Sequence, residues 1–233
     1  MLTDIDTWVL DLDNTLYPAD SALAEQVTHG ILSSVAEFYG TDVVGARQIQ
    51  AELVAQYGTS LRGAMTTRDI DPHEFLSFER RIDYSVLSPD PSLAAALRGL
   101  PGRRFVYTNG SAYHAEQALR QLGLTACFDG IFDILAGDLV PKPYEESFDA
   151  FLTRFTVDPS RAAMFDDLPV NLEVPRARGM ATVLVGGPPG SGDETWTPGG
   201  TPYKMVGTRQ WQVWDLPAFL HSLTAPAVNP STM

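Results

Sequence analysis

Three apolar runs of this chain end in side chains that can do chemistry on anionic oxygen. The first is Trp8-Val9-Leu10, followed by Asp11-Leu12-Asp13-Asn14-Thr15-Leu16-Tyr17-Pro18. If the backbone stays extended, the i, i+2 spacing puts the Asp11 and Asp13 carboxylates on one side. Two acids held close repel each other. A hard divalent cation such as Mg²⁺, which prefers carboxylate and carbonyl oxygens, relieves that repulsion. The second run, Phe105-Val106-Tyr107, ends in Thr108-Asn109-Gly110-Ser111, and the third, Ala162-Ala163-Met164-Phe165, ends in Asp166-Asp167. Between them Lys142 sits between Pro141 and Pro143, which stiffen its placement. Each has an ordinary reading when taken singly. Thr108-Asn109-Gly110 suits a turn or an N-cap, a lone lysine is usually solvated, and two acids before a helix offset its dipole. Their joint order points instead to one site suited to phosphate chemistry.

Such a site needs elements that bring the four stretches to one place. The short apolar runs suit buried strands of a parallel sheet, and in open α/β sheets ligands sit beyond the carboxyl ends of the strands. After Pro18 the pattern becomes helical. Leu23, Val27, Ile31, Val35 and Phe38 form one face, and Gly40 can end the helix. Thr41 or Asp42 can cap a second helix with Ile49, Leu53 and Tyr57 on its stripe, ended by Gly58. Two shorter helices are expected over 60–67 and 72–84, broken at Asp71-Pro72. Residues 18–88 thus form an all-helical unit inserted after the first strand, with Ser88-Pro89-Asp90-Pro91 at its exit.

From Ser92 helices and strands alternate. A helix is expected over 92–100, then the 105–107 strand and a helix bearing Ala115, Leu119 and Leu122. A short strand follows over 131–135, then a helix bearing Phe148, Phe151, Leu152 and Phe155. After the 162–165 strand comes a helix to Gly179 that Pro175 should kink or loosen, and then a strand over 181–185. The fold class is therefore α/β, a doubly wound parallel sheet with a Rossmann-like core formed by 1–17 and 89–233 and an inserted helical cap over 18–88. Residues 186–203, rich in Gly, Pro, Ser and Thr, read as a surface loop without a catalytic role. A short strand and helix around Trp211, Trp214 and Leu216–Leu223 close the domain, and the last ten residues read as frayed.

Composition narrows the function. A net charge of −13 and a pI near 4.5 argue against a nucleic-acid polymer or an anionic membrane as partner. They still allow a small anionic substrate, because a metal ion and a lysine reverse the local field. Cys127 is the single cysteine, so no internal disulfide forms, and beside Phe128 it reads as a buried inert thiol. The segment Met1–Asp6 lacks the basic region and apolar core of a signal peptide, and no apolar run reaches membrane-spanning length. The expected setting is the cytoplasm.

The ordered set of motifs resembles the haloacid dehalogenase-like superfamily. Asp11-Leu12-Asp13-Asn14-Thr15 is similar to its first motif, Thr108-Asn109 to its second, Lys142-Pro143 to its third and Asp166-Asp167 to its fourth. The 18–88 insert is similar to its first type of cap. Within the superfamily, Asp11 to Tyr17, Tyr57 to Gly63 and Ile82 to Leu87 look closest to the pyrimidine 5′-nucleotidase-like branch. The resemblance implies a Mg²⁺-dependent phosphomonoester hydrolase. Asp11 would attack phosphorus to form an aspartyl-phosphate, and Asp13 would protonate the leaving oxygen and then activate water. Mg²⁺ would sit on the Asp11 carboxylate, the Asp13 backbone carbonyl and, directly, Asp167, with Asp166 held through water. Lys142 would bind the phosphate and the Asp11 carboxylate, and Thr108 and Asn109 would bind phosphate oxygens. The expected substrate is a nucleoside, above all pyrimidine, 5′-monophosphate.

The cap should set specificity. Tyr57, Arg62 and His73 are candidates to face the leaving group, although helix packing explains the tyrosine and solvent the other two. Asn171 is either a polar helix residue or a brace for the acidic loop. Alternatives are a phosphatase for a sugar phosphate or phosphoglycolate, a haloacid dehalogenase, and a non-catalytic phosphate-binding relative. As the superfamily implies, a dehalogenase lacks the acid at the position of Asp13. A phospho-accepting signalling receiver carries its acidic pair early, whereas Asp166-Asp167 comes late here.

Overall fold

The computed structural model describes residues 2–186 and 203–224. Its elements in chain order are β1 (Thr7–Leu10), α1 (Ala22–Tyr39), α2 (Val43–Tyr57), α3 (Ser60–Arg68), α4 (Pro72–Phe75), α5 (Pro91–Gly99), β2 (Arg103–Tyr107), α6 (Ala112–Leu122) and β3 (Gly130–Phe132). There follow α7 (Glu145–Phe155), β4 (Ala162–Asp166), α8 (Glu173–Ala177), β5 (Ala181–Val185), β6 (Tyr203–Gly207), β7 (Gln210–Val213) and α9 (Leu216–Thr224).

The seven strands form one sheet in the order β3-β2-β1-β4-β5-β7-β6. β1 lies at its centre, pairing in parallel with β2 on one side and β4 on the other. The chain builds outward from β1 to β2 and β3, then crosses back to β4 and β5. The strand order therefore reverses beside β1, where doubly wound sheets bind ligands. All four β1 residues are buried, and successive side chains alternate between the two faces. Trp8 and Leu10 join Val106, Phe165, Val183 and Phe219 on one face. Val9 joins Phe105, Tyr107, Met164 and Phe151 on the other. Helices cover both faces, as a sheet with two apolar sides requires.

The helices between β1 and α5 carry a third apolar cluster. Leu32 and Val35 of α1, Ala46 of α2, Leu61 of α3 and Phe75 of α4 pack together, with Ile134 reaching in from the loop after β3. Ser21, Asp42, Thr59 and Asp71 cap α1 to α4 by accepting from backbone N–H groups of the first turn. Gly40 ends α1 at φ +64°, a left-handed conformation that suits glycine. Gly30 permits a close approach: a Cβ there would stand 2.1 Å from Cδ2 of Phe78.

Several local expectations are corrected. The helix expected over 72–84 is only α4, followed by 3₁₀ turns over Leu76–Arg81 and Tyr84–Val86. The three-residue spacing of buried Phe75 and Phe78 suits the tighter 3₁₀ turn. The strand expected over 131–135 is β3, ending at Phe132, because the Asp133 carboxylate accepts from the N–H groups of Ala112 and Ala136. The helix expected to run to Gly179 is divided into a 3₁₀ turn over Pro169–Leu172 and α8. Pro175 falls in the first turn of α8, where its missing N–H has no intrahelical partner to lose. The single closing strand is an antiparallel hairpin of β6 and β7 turned at Arg209, φ +56°. Residues 187–202 of the expected loop and the end of the chain from 225 lie outside the described residues.

Candidate active site

The strand register aligns the chemistry. Leu10 is level with Val106 of β2 and Phe165 of β4, and the Asp11 N–H continues the ladder to the Phe165 carbonyl at 2.8 Å. Asp11, Thr108 and Asp166 therefore emerge at one edge of the sheet. Lys142 arrives from the loop before α7, and the Asn109 side chain fixes its backbone. Asn109 Oδ1 accepts from the Lys142 N–H at 2.8 Å, and Asn109 Nδ2 donates to the Lys142 carbonyl at 3.2 Å.

The Lys142 ammonium is 4% exposed. It donates at 2.7 Å to Asp11 Oδ1, at 2.7 Å to Asp166 Oδ2 and at 2.9 Å to the Tyr107 carbonyl. All three of its hydrogens are thus directed. Burial opposes its charge, but Asp11 and then Asp166 outweigh this and hold its pKa above the ordinary range. Burial also pushes the Asp11 carboxyl well above the usual carboxylate range, against the pull of Lys142. Asp166 is fully buried. Its Oδ1 accepts from Asn171 Nδ2 at 2.9 Å and from the Leu168 N–H at 3.0 Å, so Asn171 braces the acidic loop. Asp167 is half-buried, takes Asn14 Nδ2 at 3.2 Å, and is raised by burial and by Asp166.

A ligand oxygen from each of Asp11, Asp166 and Asp167 can be chosen so that all three lie within 4.8 Å of one another. Three carboxylates face a single lysine, an excess of negative charge with the hard oxygen donors that Mg²⁺ takes. The residues present therefore fit the cation. Both oxygens of Asp166 already hold donors, whereas Asp167 is more open.

Asp13 is 30% exposed and is held by residues that the motif reading passed over. His114 Nε2 lies 2.9 Å from Asp13 Oδ1, and the Tyr17 hydroxyl donates to the same oxygen. His114 Nδ1 lies 3.0 Å from the Tyr84 hydroxyl, which donates to the Glu79 carbonyl. With Tyr84 donating onward, both imidazole nitrogens are donors, which is the charged form. Burial works against that charge, but Asp13 and then Glu79 raise the His114 pKa overall. Burial likewise opposes ionisation of Asp13, and the His114 charge with the His114 and Tyr17 hydrogen bonds brings its carboxyl below the usual range. The Glu79 carboxylate bonds the Ser111 hydroxyl at the N-cap of α6. His114, Ala118 and Leu122 share the buried side of α6, and that i, i+4, i+8 spacing was the available signal for the histidine.

Between α1, α3, α4 and the sheet edge lies a cavity of about 290 Å³, with Asp13, Asn14, Asn109 and Gly110 in its floor. Tyr57, Arg62 and His73 do not line it; Thr59, Ser60 and Leu61 do. The Arg62 guanidinium lies 4.1 Å from the Tyr144 ring centroid, joining α3 to the Lys142 loop, and His73 is exposed. Cys127 is buried and free, away from the site.

The profile of the haloacid dehalogenase-like hydrolases matches residues 5–177, most of the chain and all four motifs. The chain belongs to that family. It is similar to phosphate metabolism protein 8 of Saccharomyces cerevisiae, at 26% identity over 133 residues. That match covers 52% of this chain and 41% of the yeast protein, so the chain spans less than half of that relative. Among solved structures it resembles the L-2-haloacid dehalogenase RSc1362, at TM-score 0.55 and 15% identity, covering 96% of this chain and all of that one. It also resembles a haloacid dehalogenase-type phosphatase from Thermococcus onnurineus, at TM-score 0.52 and 16% identity, covering 81% and 88% of the two chains. Likeness at these identities establishes the shared α/β fold. No helix among the described residues is long and apolar enough to cross a membrane.

Proposed function

We propose that this hydrolase is a Mg²⁺-dependent phosphomonoesterase working through an aspartyl-phosphate on Asp11, with nucleoside 5′-monophosphates, pyrimidines first, as its substrates. The observation that carries the reading is the buried Lys142 ammonium held by both Asp11 and Asp166, two residues from an Asp13 that opens onto a cavity. Asp11 attacks phosphorus, the P–O ester bond breaks, and the leaving oxygen takes a proton from Asp13. Water deprotonated by Asp13 then cleaves the acyl phosphate, releasing phosphate and restoring Asp11. The arriving phosphate raises the Asp13 pKa by adding a second negative charge nearby, which favours the protonated acid the first step needs. Lys142 compensates phosphate charge, and the Thr108 hydroxyl, which accepts from the Gly110 N–H, keeps its own hydrogen for a phosphate oxygen. Asp11, the Asp13 backbone carbonyl, Asp167 and, through water, Asp166 would hold Mg²⁺, which would supply further charge neutralisation.

The Asn109 amide also holds the Lys142 backbone, and its Nδ2 keeps a second hydrogen for a phosphate oxygen. Asp13 favours phosphatase over dehalogenase chemistry, since a dehalogenase needs no acid at that position. The test is phosphate release, with and without Mg²⁺, from UMP, CMP, dTMP, AMP, GMP, phosphoglycolate and sugar phosphates. Mg²⁺-dependent release that EDTA abolishes, fastest for the pyrimidine nucleotides, is expected. A different preferred ester would discard the nucleotide assignment, and release without metal would discard the mechanism.

A further inference from the structure

The cavity above Asp13 must hold the leaving group if Asp13 protonates the leaving oxygen, so its walls describe that group. Val27 and Ile31 of α1, Leu61 of α3 and Phe75, Leu76 and Phe78 beyond it form its apolar sides. The charged residues that line it are Asp13, Glu79 and His114. His114 already answers Asp13, and the Glu79 carboxylate is bonded to Ser111. Neither lysine nor arginine is among its lining residues. A carboxylate or second phosphate on the leaving group would meet apolar side chains, two acids and, besides His114, only neutral polar groups such as Thr28, Thr59 and Ser60, without a lysine or arginine to pair with.

We infer that the enzyme selects phosphomonoesters of neutral alcohols with a substantial apolar or aromatic body, and rejects esters whose leaving group carries its own negative charge. The inference rests on the phosphatase reading and narrows it. Phosphoglycolate and sugar bisphosphates are excluded, whereas a nucleoside, neutral and with a flat base, fits the chamber's chemistry.

Matched pairs that differ by one carboxylate test it: UMP against orotidine 5′-monophosphate, and butyl phosphate against 4-phosphooxybutanoate. The neutral member should have a kcat/KM at least about tenfold higher in both pairs, because bringing like charges together in a partly buried site is unfavourable. Thr28 is exposed at the rim of the cavity, so Thr28→Lys adds a cation without disturbing the helix. That variant should narrow the ratio in both pairs. A ratio near one in either pair, or a ratio that Thr28→Lys leaves unchanged, overturns the inference while the phosphatase reading stands. No Mg²⁺-dependent release from any of the four esters overturns both.

Discussion

Tyr17 and His114 both place their hydrogen bonds on Oδ1 of Asp13, which leaves Oδ2, turned toward Gly110, as the oxygen that would exchange a proton with substrate in the proposed mechanism. Asp13→Asn should therefore lower kcat/KM by about 10²–10⁴-fold on alkyl phosphates, the usual worth of a positioned acid or base. The kcat/KM loss, which reports the phosphorylation step alone, should be much smaller on p-nitrophenyl phosphate, whose leaving group needs no proton. By contrast, kcat should fall on both esters, because Asp13 also activates water. Equal kcat/KM losses in steady-state kinetics would argue against an acid. His114→Ala should cost about tenfold or more on alkyl esters, from one charge-assisted hydrogen bond. His114→Gln, which can still donate to Oδ1, should recover part of that. A His114→Ala loss shared equally by alkyl and aryl esters would make the histidine merely structural. Asp11, Asp13, Lys142 and the 166–167 pair were legible in the sequence because each follows a short apolar run or is braced by proline. His114, Tyr17 and Glu79 were not singled out. Their partners lie in other elements or in a local turn, so composition and spacing do not announce them.

The helix α7 does more than cover the sheet. Phe151 stacks on Tyr107 with ring centroids 5.1 Å apart, and Ser147 accepts the Tyr107 hydroxyl at 2.7 Å. The Tyr107 carbonyl in turn receives the Lys142 ammonium. An aromatic cluster thus fixes the strand end on which the lysine rests. Phe151→Ala removes a fully buried ring and should destabilise the fold by about 3–5 kcal/mol in urea unfolding. A cost below about 1 kcal/mol would mean that the cluster does not anchor this edge. The Phe148, Phe151 and Phe155 spacing made α7 readable, as the stripes of α1 and α6 made those helices readable. The 72–84 region was not, because α-helical and 3₁₀ periods differ little over two turns. β6 went unread because its exposed Met205 and Val206 and half-buried Tyr203 and Lys204 give no clean alternation.

A chain of net charge −13 concentrates three acids around one lysine where the cap helices meet the sheet edge. A cation that binds only the folded protein stabilises it by mass action. Mg²⁺ at about a hundred times its Kd should raise Tm by roughly 5–10 °C for a chain of this size. Asp167→Asn should lose most of that shift in a thermal melt, and a wild-type Tm indifferent to Mg²⁺ would contradict the metal assignment. The insertion of helices between β1 and β2 was legible because the helical period starts directly after the first acidic pair. How the cap closes on the core was not, since Arg62 on Tyr144 and Glu79 on Ser111 join segments far apart in the chain. The aspartyl-phosphate is tested by a rapid acid quench of the enzyme turning over UMP with Mg²⁺, followed by peptide mass spectrometry. A phosphoryl group on Asp11, absent without Mg²⁺ and absent in Asp11→Asn, is the predicted result. Rapid turnover with Asp11 unmodified, or undiminished turnover by Asp11→Asn, would contradict it.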